Sequence, residues 1–276
     1  MRILMIGDIV GKPGRTILQK RLKTLRQRES IDFVIANGEN SADGSGITPS
    51  IHRALIECGV DCVTLGDHIY RRGEIIPVLA RSDRIVRPAN FPPTAVGREF
   101  AVYQTKRGPS IAVVSLMGRL FMRPIVDCPF QAIDRVIQQI PRDVKIIVVD
   151  IHAEATSEKV ALGWYLDGRA SVVFGTHTHI ATADERLLHK GTAYITDLGM
   201  TGPYESVLGR RIDRVTHFLT TGMPEPFEVA GHDARLCGII ARVDGETGRA
   251  THIERFRFDA PDRASGDDEM DSDSDH

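Results

Sequence analysis

The chain predicts an α/β fold with mixed sheets and helices on the outside, and three observations carry that reading. Short β-branched runs recur at 2–7, 32–36, 62–66, 144–151 and 171–175, in the manner of buried strands. Helical patterns stand between them, which argues for parallel strands joined by crossover helices. Runs paired across turn residues read as antiparallel hairpins, so the sheets are mixed rather than purely parallel.

Taken in order, strand 2–7 leads to a loop with Gly11, Pro13 and Gly14, then to a basic amphipathic helix over about 15–28. Strand 32–36 is followed by the Gly/Ser-containing loop 37–46, and Pro49 suits the first turn of the next helix. Strand 62–66 precedes a helix over about 72–80. Residues 99–105 and 110–116, joined by Lys106-Arg107-Gly108-Pro109, form a hairpin. A helix at about 130–140, strand 144–151, helix 156–167 and strand 171–175 resume the alternation. Runs 181–187 and 192–196 flank His189-Lys190-Gly191 as a second hairpin. A third pairs 236–243 with 249–258 around Asp244-Gly-Glu-Thr-Gly248, a strong turn signal. No linker interrupts residues 1–258, which are expected to form one domain. From 259 to 276 the composition turns to Asp, Ser, Glu and Gly, too polar to offset its ordering entropy, and a disordered acidic tail is expected.

Bulk properties exclude several classes. Thirty-five basic and 37 acidic residues leave a net charge of −2, without the basic bias of a nucleic-acid binder, although a small anion held through metal ions is compatible. No apolar stretch approaches the roughly 20 residues needed to cross a bilayer, and the N-terminal run is broken by Asp8, unlike a secretory signal. A cytoplasmic protein is expected. Cys58, Cys62, Cys128 and Cys237 show neither a C-x-x-C pair nor a disulfide framework, and read as reduced thiols.

The chemistry lies where apolar runs end. Five of them stop directly at possible metal donors: Asp8, Glu39-Asn40, Asp67-His68, His152, and His177-Thr-His179. In α/β sheets ligands bind where the carboxyl ends of strands open into a crevice, so these donors should converge. They are too many for one ion and suit two. Taken singly the signals are unequal. His177 and His179, two apart in an extended segment after Gly175, would face one cavity. Asp8 alone reads equally as a helix cap, Glu39-Asn40 as a turn, and His152 as a satisfied structural histidine. His52, His189, His217, His232, His252 and His276 fall outside the pattern and read as surface or structural. Gly11-Lys12-Pro13 fails the spacing of a phosphate loop, and Pro13 replaces the hydroxyl that would reach magnesium.

These motifs resemble those of the calcineurin-like metallophosphoesterases. Gly7-Asp8, Gly38-Glu39-Asn40, Gly66-Asp67-His68 and Gly175-Thr-His177-Thr-His179 stand where that superfamily has its ligands. Similarity is greater to the YmdB-type branch of 2′,3′-cyclic-nucleotide 2′-phosphodiesterases. It is carried by Gly7-Asp-Ile-Val-Gly-Lys-Pro-Gly-Arg15, Asn37-Gly-Glu-Asn-Ser-Ala42, Gly118-Arg-Leu-Phe-Met122, Gly199-Met-Thr-Gly-Pro203 and Ser206-Val-Leu-Gly209. The resemblance implies a four-layer α/β/β/α metallophosphoesterase sandwich with two mixed sheets. It implies one metal on Asp8, Glu39, Asn40 and His179, and a second on Glu39, Asp67, His152 and His177, with Glu39 bridging and His68 as general acid. The implied metals are two iron ions, with manganese or magnesium as alternatives. A small phosphodiester or cyclic-nucleotide substrate, RNA ends as a further substrate class, and a homo-oligomer are implied too.

Val10 stands where the wider superfamily has a histidine, and Glu39 replaces its bridging aspartate; both fit the branch. Asp67 departs from the branch's asparagine, and its charge should tighten the second cation while weakening its Lewis acidity. A 3′,5′-cyclic phosphodiesterase, a nuclease, a phosphomonoesterase, or a regulatory metal-binding protein with weak turnover would use the same site. A mononuclear amidohydrolase would want His-x-His after its first strand, where Asp8 stands here.

Overall fold

The computed structural model describes residues 1–105 and 108–259. The chain first lays down β1 (Arg2–Ile6), β2 (Asp8–Ile9), β3 (Phe33–Asn37), β4 (Cys62–Thr64) and β5 (Ile85–Val86). It then builds a second sheet from β6 (Phe100–Tyr103), β7 (Ile111–Met117), β8 (Ile146–His152), β9 (Val172–Thr176), β10 (Arg186–Leu187) and β11 (Ala193–Ile195). It returns to the first sheet with β12 (Met200–Pro203), β13 (Ala234–Val243) and β14 (Ala250–Asp259). The first sheet has eight strands in the order β2-β12-β13-β1-β3-β4-β5, with β14 also on β13. The second has six, in the order β10-β11-β9-β8-β7-β6. Both are mixed: β1, β3, β4 and β5 run parallel while β13 opposes β1, and β7, β8, β9 and β11 run parallel between antiparallel β6 and β10.

Period-two alternation within the strands sets the layers. In β1, Leu4 and Ile6 face α1 (Gly11–Arg28), whose Ile17, Leu18, Leu22 and Leu25 share their core with Leu55 of α2 (Pro49–Glu57) and Leu79 of α3 (Ile76–Arg81). Ile3 and Met5 point the other way and meet Ile146, Val148, Val172 and Phe174 of the second sheet. From β8, Ile147 and Val149 pack outward with Ile133 and Val136 of α4 (Pro129–Gln139) and Leu162 of α5 (Thr156–Tyr165). Helix, sheet, sheet, helix: the expected four-layer sandwich is present. Burying each such aliphatic side chain contributes about 1.5–3 kcal/mol, and a one-residue slip in any strand would exchange two cores.

All three predicted hairpins form, as β6–β7, β10–β11 and β13–β14. Lys106 and Arg107, in the first hairpin's turn, lie outside the described residues. Helix α1 starts at Gly11, not near 15, so the expected loop is the helix's first turn. Pro13 fits there because a first-turn residue has no intrahelical acceptor for its N–H. The Gly11 N–H instead bonds the Asn40 carbonyl at 2.9 Å, joining this helix start to the loop after β3. Strands β2, β5 and β12 and helix α6 (Ile212–Thr221) are additions to the predicted elements. The acidic tail read over 259–276 lies outside the described residues except for Asp259, which ends β14. All four cysteines are free. Among the described residues no helix is long and apolar enough to cross a membrane.

Candidate metal centre

The oxygen donors and His68 come from the first sheet, and the other three histidines from the second. Asp8 opens β2, Glu39 and Asn40 follow β3, and Asp67 and His68 follow β4. Facing them, His152 ends β8, while His177 and His179 follow β9. One ligand atom each from Glu39, Asp67, His152 and His177 lies within 4.8 Å of the others. His152 Nε2 sits 3.1 Å from Asp67 Oδ1, 3.2 Å from Glu39 Oε1 and 3.1 Å from His177 Nδ1. At the same Glu39 oxygen, Asn40 Nδ2 is 3.2 Å from Oε1 and 3.0 Å from His179 Nε2, which is 3.9 Å from Asp8 Oδ1. Glu39 Oε1 is thus within reach of both His152 and Asn40. His68 borders the cluster: its backbone N–H donates to Glu39 Oε2 at 3.1 Å, and its Nδ1 lies 2.8 Å from Asn40 Oδ1.

Two glycines explain why strands end in this pattern. A Cβ on Gly66 would lie 2.1 Å from the His152 ring, so the imidazole packs on a bare backbone. A Cβ on Gly175 would lie 1.8 Å from the Thr196 carbonyl oxygen, so only glycine lets β9 pass and turn into the histidine segment. That segment differs from expectation. His177 and His179 adopt positive φ, 97° and 65°, so His-Thr-His bends through left-handed backbone at both histidines and is not an extended run. The turn is held because Asp197 Oδ2 accepts from the Thr178 N–H and hydroxyl, at 3.2 and 2.8 Å, and from the buried Lys159 ammonium at 2.6 Å. The His177 N–H donates to Asp8 Oδ2 at 3.1 Å. Both imidazoles still face the cluster.

Electrostatics favour positive charge here. Asp8 and Glu39 are fully buried, and burying carboxylates without compensation is costly. Burial would raise the Glu39 carboxyl, but His152 and His68 beside it bring it down to about 2. Burial likewise opposes ionisation of Asp67, and hydrogen bonds with His152 and His177 override it, lowering its pKa. Burial would lower the His152 and His68 pKa values, yet neighbouring carboxylates raise both, His152 well above the ordinary histidine value. Asp8 goes the other way: burial raises its pKa, and Oδ1 is buried without a hydrogen-bond partner. Three carboxylates, an amide and three imidazoles, with the Asp8 oxygen buried and unpartnered, fit a metal site of mixed oxygen and nitrogen donors.

All eight predicted site residues thus gather in one place. His52 is buried in α2, whereas His189, His217, His232 and His252 are exposed away from the cluster; His276 lies outside the described residues. Sequence reasoning did not single out the supporting groups. Asp150 is buried beneath the cluster and accepts from Asn37 Nδ2, Thr64 Oγ1 and Thr176 Oγ1 at 3.1, 2.5 and 2.7 Å. The Leu208 carbonyl lies 3.0 Å from His179 Nδ1. One signal was available: a charged residue inside Ile-Ile-Val-Val-Asp-Ile, where burial demands partners.

Comparison with known proteins agrees with this architecture. A family profile described as YmdB-like protein matches residues 4–256. The Bacillus subtilis 2′,3′-cyclic-nucleotide 2′-phosphodiesterase is 45% identical over 256 residues, 93% of this chain and 96% of that one. A putative phosphatase/phosphodiesterase of Mycoplasma pneumoniae is 33% identical, covering 94% and 93%. Among solved structures, a hypothetical protein from Thermus thermophilus superposes with a TM-score of 0.89 at 42% identity, over 95% of this chain and all of that one. A Mycoplasma pneumoniae phosphatase gives a TM-score of 0.88 at 33% identity, covering 94% and 93%. With its strands, helices and donor cluster in place and a profile match spanning nearly its whole length, the chain belongs to the YmdB-like family.

Proposed function

We propose that this protein is a dinuclear metal-dependent phosphodiesterase that opens the 2′ ester of 2′,3′-cyclic nucleotides and releases the 3′-monophosphate. The observation that carries the reading is the gathering of seven site residues from two sheets around Glu39. The substrate class follows from the Bacillus subtilis relative, which bears that activity in its name. One cation would be held by Asp8, Glu39, Asn40 and His179, the other by Glu39, Asp67, His152 and His177, with Glu39 shared. Bound there, two cations would supply an ionised water near neutral pH and neutralise charge developing on the phosphoryl oxygens. Iron is the assigned metal, with manganese or magnesium as substitutes.

The chain's own residues do the rest. His68 is the general acid in this reading, protonating the departing ribose oxygen. Its side chain is 25% exposed, more than any liganding group, as a proton donor that must reach substrate requires. Glu39 and Asn40 grip its Nδ1 side, at 3.2 and 2.8 Å, leaving Nε2 on the side away from them. Asp67 Oδ2, 3.6 Å from that Nε2, keeps positive charge favourable there. We further assign residues 1–258 to one phosphoesterase domain followed by the acidic tail, and place the protein in the cytoplasm as a homo-oligomer with RNA-derived cyclic ends within its substrate range.

The test is product analysis. Purified protein supplied with Mn²⁺ should convert 2′,3′-cyclic AMP to 3′-AMP faster than it cleaves 3′,5′-cyclic AMP or p-nitrophenyl phosphate. Release of 2′-AMP, or faster turnover of the monoester, would overturn the substrate assignment. No hydrolysis of any of them at full metal occupancy would favour a regulatory metal-binding protein.

A further inference from the structure

Resting on the dinuclear reading, we infer that Asp150 and Thr176 are positioning residues that fix which nitrogen of His152 is offered to a cation. The Thr176 hydroxyl has one proton and donates it to Asp150 Oδ1 at 2.7 Å. Of its two lone pairs, one faces Asn37 Nδ2 at 3.4 Å and the other is left to accept from His152 Nδ1 at 2.9 Å. The hydroxyl is a closer partner for that nitrogen than Asn37 Nδ2 at 3.5 Å, so Nδ1 carries the proton. Nε2 is then the nitrogen free to ligate, and it is the one that points at Glu39 Oε1 and Asp67 Oδ1, at 3.2 and 3.1 Å.

The direction of this chain depends on Asp150 remaining an acceptor. Its other oxygen receives the Thr64 hydroxyl at 2.5 Å and the Asn37 amide at 3.1 Å. All four groups are fully buried, so no solvent competes for the Thr176 proton. Asn37 also turns its Oδ1 to the Glu39 N–H at 3.2 Å, so the network that orients His152 reaches the loop carrying the shared carboxylate. Second-sphere partners that set a ligand's tautomer and orientation typically account for about 10–100-fold in metal affinity.

The test is Mn²⁺ binding by calorimetry on the full chain at fixed pH, with folding checked by circular dichroism. Thr176→Val keeps the side chain's shape and removes the hydroxyl; it should weaken Mn²⁺ binding about 10–100-fold. Thr176→Ser restores the hydroxyl and should stay within about threefold of wild type, a span small against the effect expected of the lost partner. Thr64→Val also strips a hydrogen bond from Asp150 but leaves the Thr176–His152 link; it should lower the unfolding midpoint and weaken Mn²⁺ binding less than Thr176→Val does. If Thr176→Val does not fold, Asp150→Asn carries the same test, with a loss of about tenfold or more expected. Wild-type affinity in whichever of these two variants folds, or an equal fall in Thr64→Val, would overturn the inference. Failure of wild-type protein to take up Mn²⁺ would overturn the metal reading, and this inference with it.

Discussion

At the scale of single residues, His68 and Asp150 separate chemistry from support. His68→Ala removes the proposed acid, and with it the Nδ1 contacts to Glu39 and Asn40, but keeps all seven proposed ligands. It should lower kcat about 10²–10⁴-fold while metal content, measured by elemental analysis, stays near wild type. Metal content falling in parallel would make His68 a ligand instead. Asp150 makes a prediction about pH. Burial raises its carboxyl from the usual 3.8 to about 6. The folded chain therefore holds this proton over a range where the unfolded chain has released it. Stability from this group is full below about pH 4 and is lost as pH rises through about 6. A displacement of this size corresponds to about 3 kcal/mol. In metal-free protein, urea unfolding from pH 4 to 7 should lose stability more steeply for wild type than for Asp150→Asn. Parallel pH profiles would rule out this contribution.

At the scale of elements, the strand-to-glycine-to-donor pattern decides the site, and Gly66 is where it is most sensitive. Gly66→Ala puts a methyl 2.1 Å from the His152 ring and must move either the imidazole or β4's exit. The expected result is loss of most bound Mn²⁺ with a destabilisation of about 1–3 kcal/mol, the usual cost of overpacking. Elemental analysis and urea unfolding check both. The same pattern made the site legible in the sequence. β1, β3, β4, β8 and β9 announce themselves as apolar runs, and each is followed within three residues by its donor or ends on it. What escaped notice lacked such a signal. β2 and β5 are two residues long, too short to show any period, and β12 contains Gly202 and Pro203 and reads as a loop. α6 is the exception: Ile212, Val215, Phe218 and Leu219 form an apolar stripe at helical spacing that was passed over, although the fold buries only Val215 of it. The left-handed turn at His177–His179 was hidden for another reason: it is imposed from outside, by Asp197 and Lys159, which are far away in sequence. Asp150 and Thr176 sit inside strands whose apolar neighbours dominate the pattern.

At the scale of the whole molecule, the four layers bring the open ends of both sheets together, and the site joins them. Asp150 in β8 takes hydrogen bonds from Asn37 in β3 and Thr64 in β4, so the sheets are tied by polar contacts just beneath the cluster. Metal removal should therefore be felt globally. Mn²⁺ at a hundred times its dissociation constant should stabilise the fold by about 2.7 kcal/mol per site relative to EDTA-treated protein. A thermal melt with and without chelator checks this, and equal midpoints would mean the cluster holds no cation. The split of donors between the sheets has a further effect. An ion content with oxygen alone, such as Mg²⁺, would anchor to one leaf of the sandwich, whereas one that accepts imidazole as readily would clasp both. The choice of ion then governs how firmly the two halves of the protein are fastened, as well as how fast the phosphoester is cut.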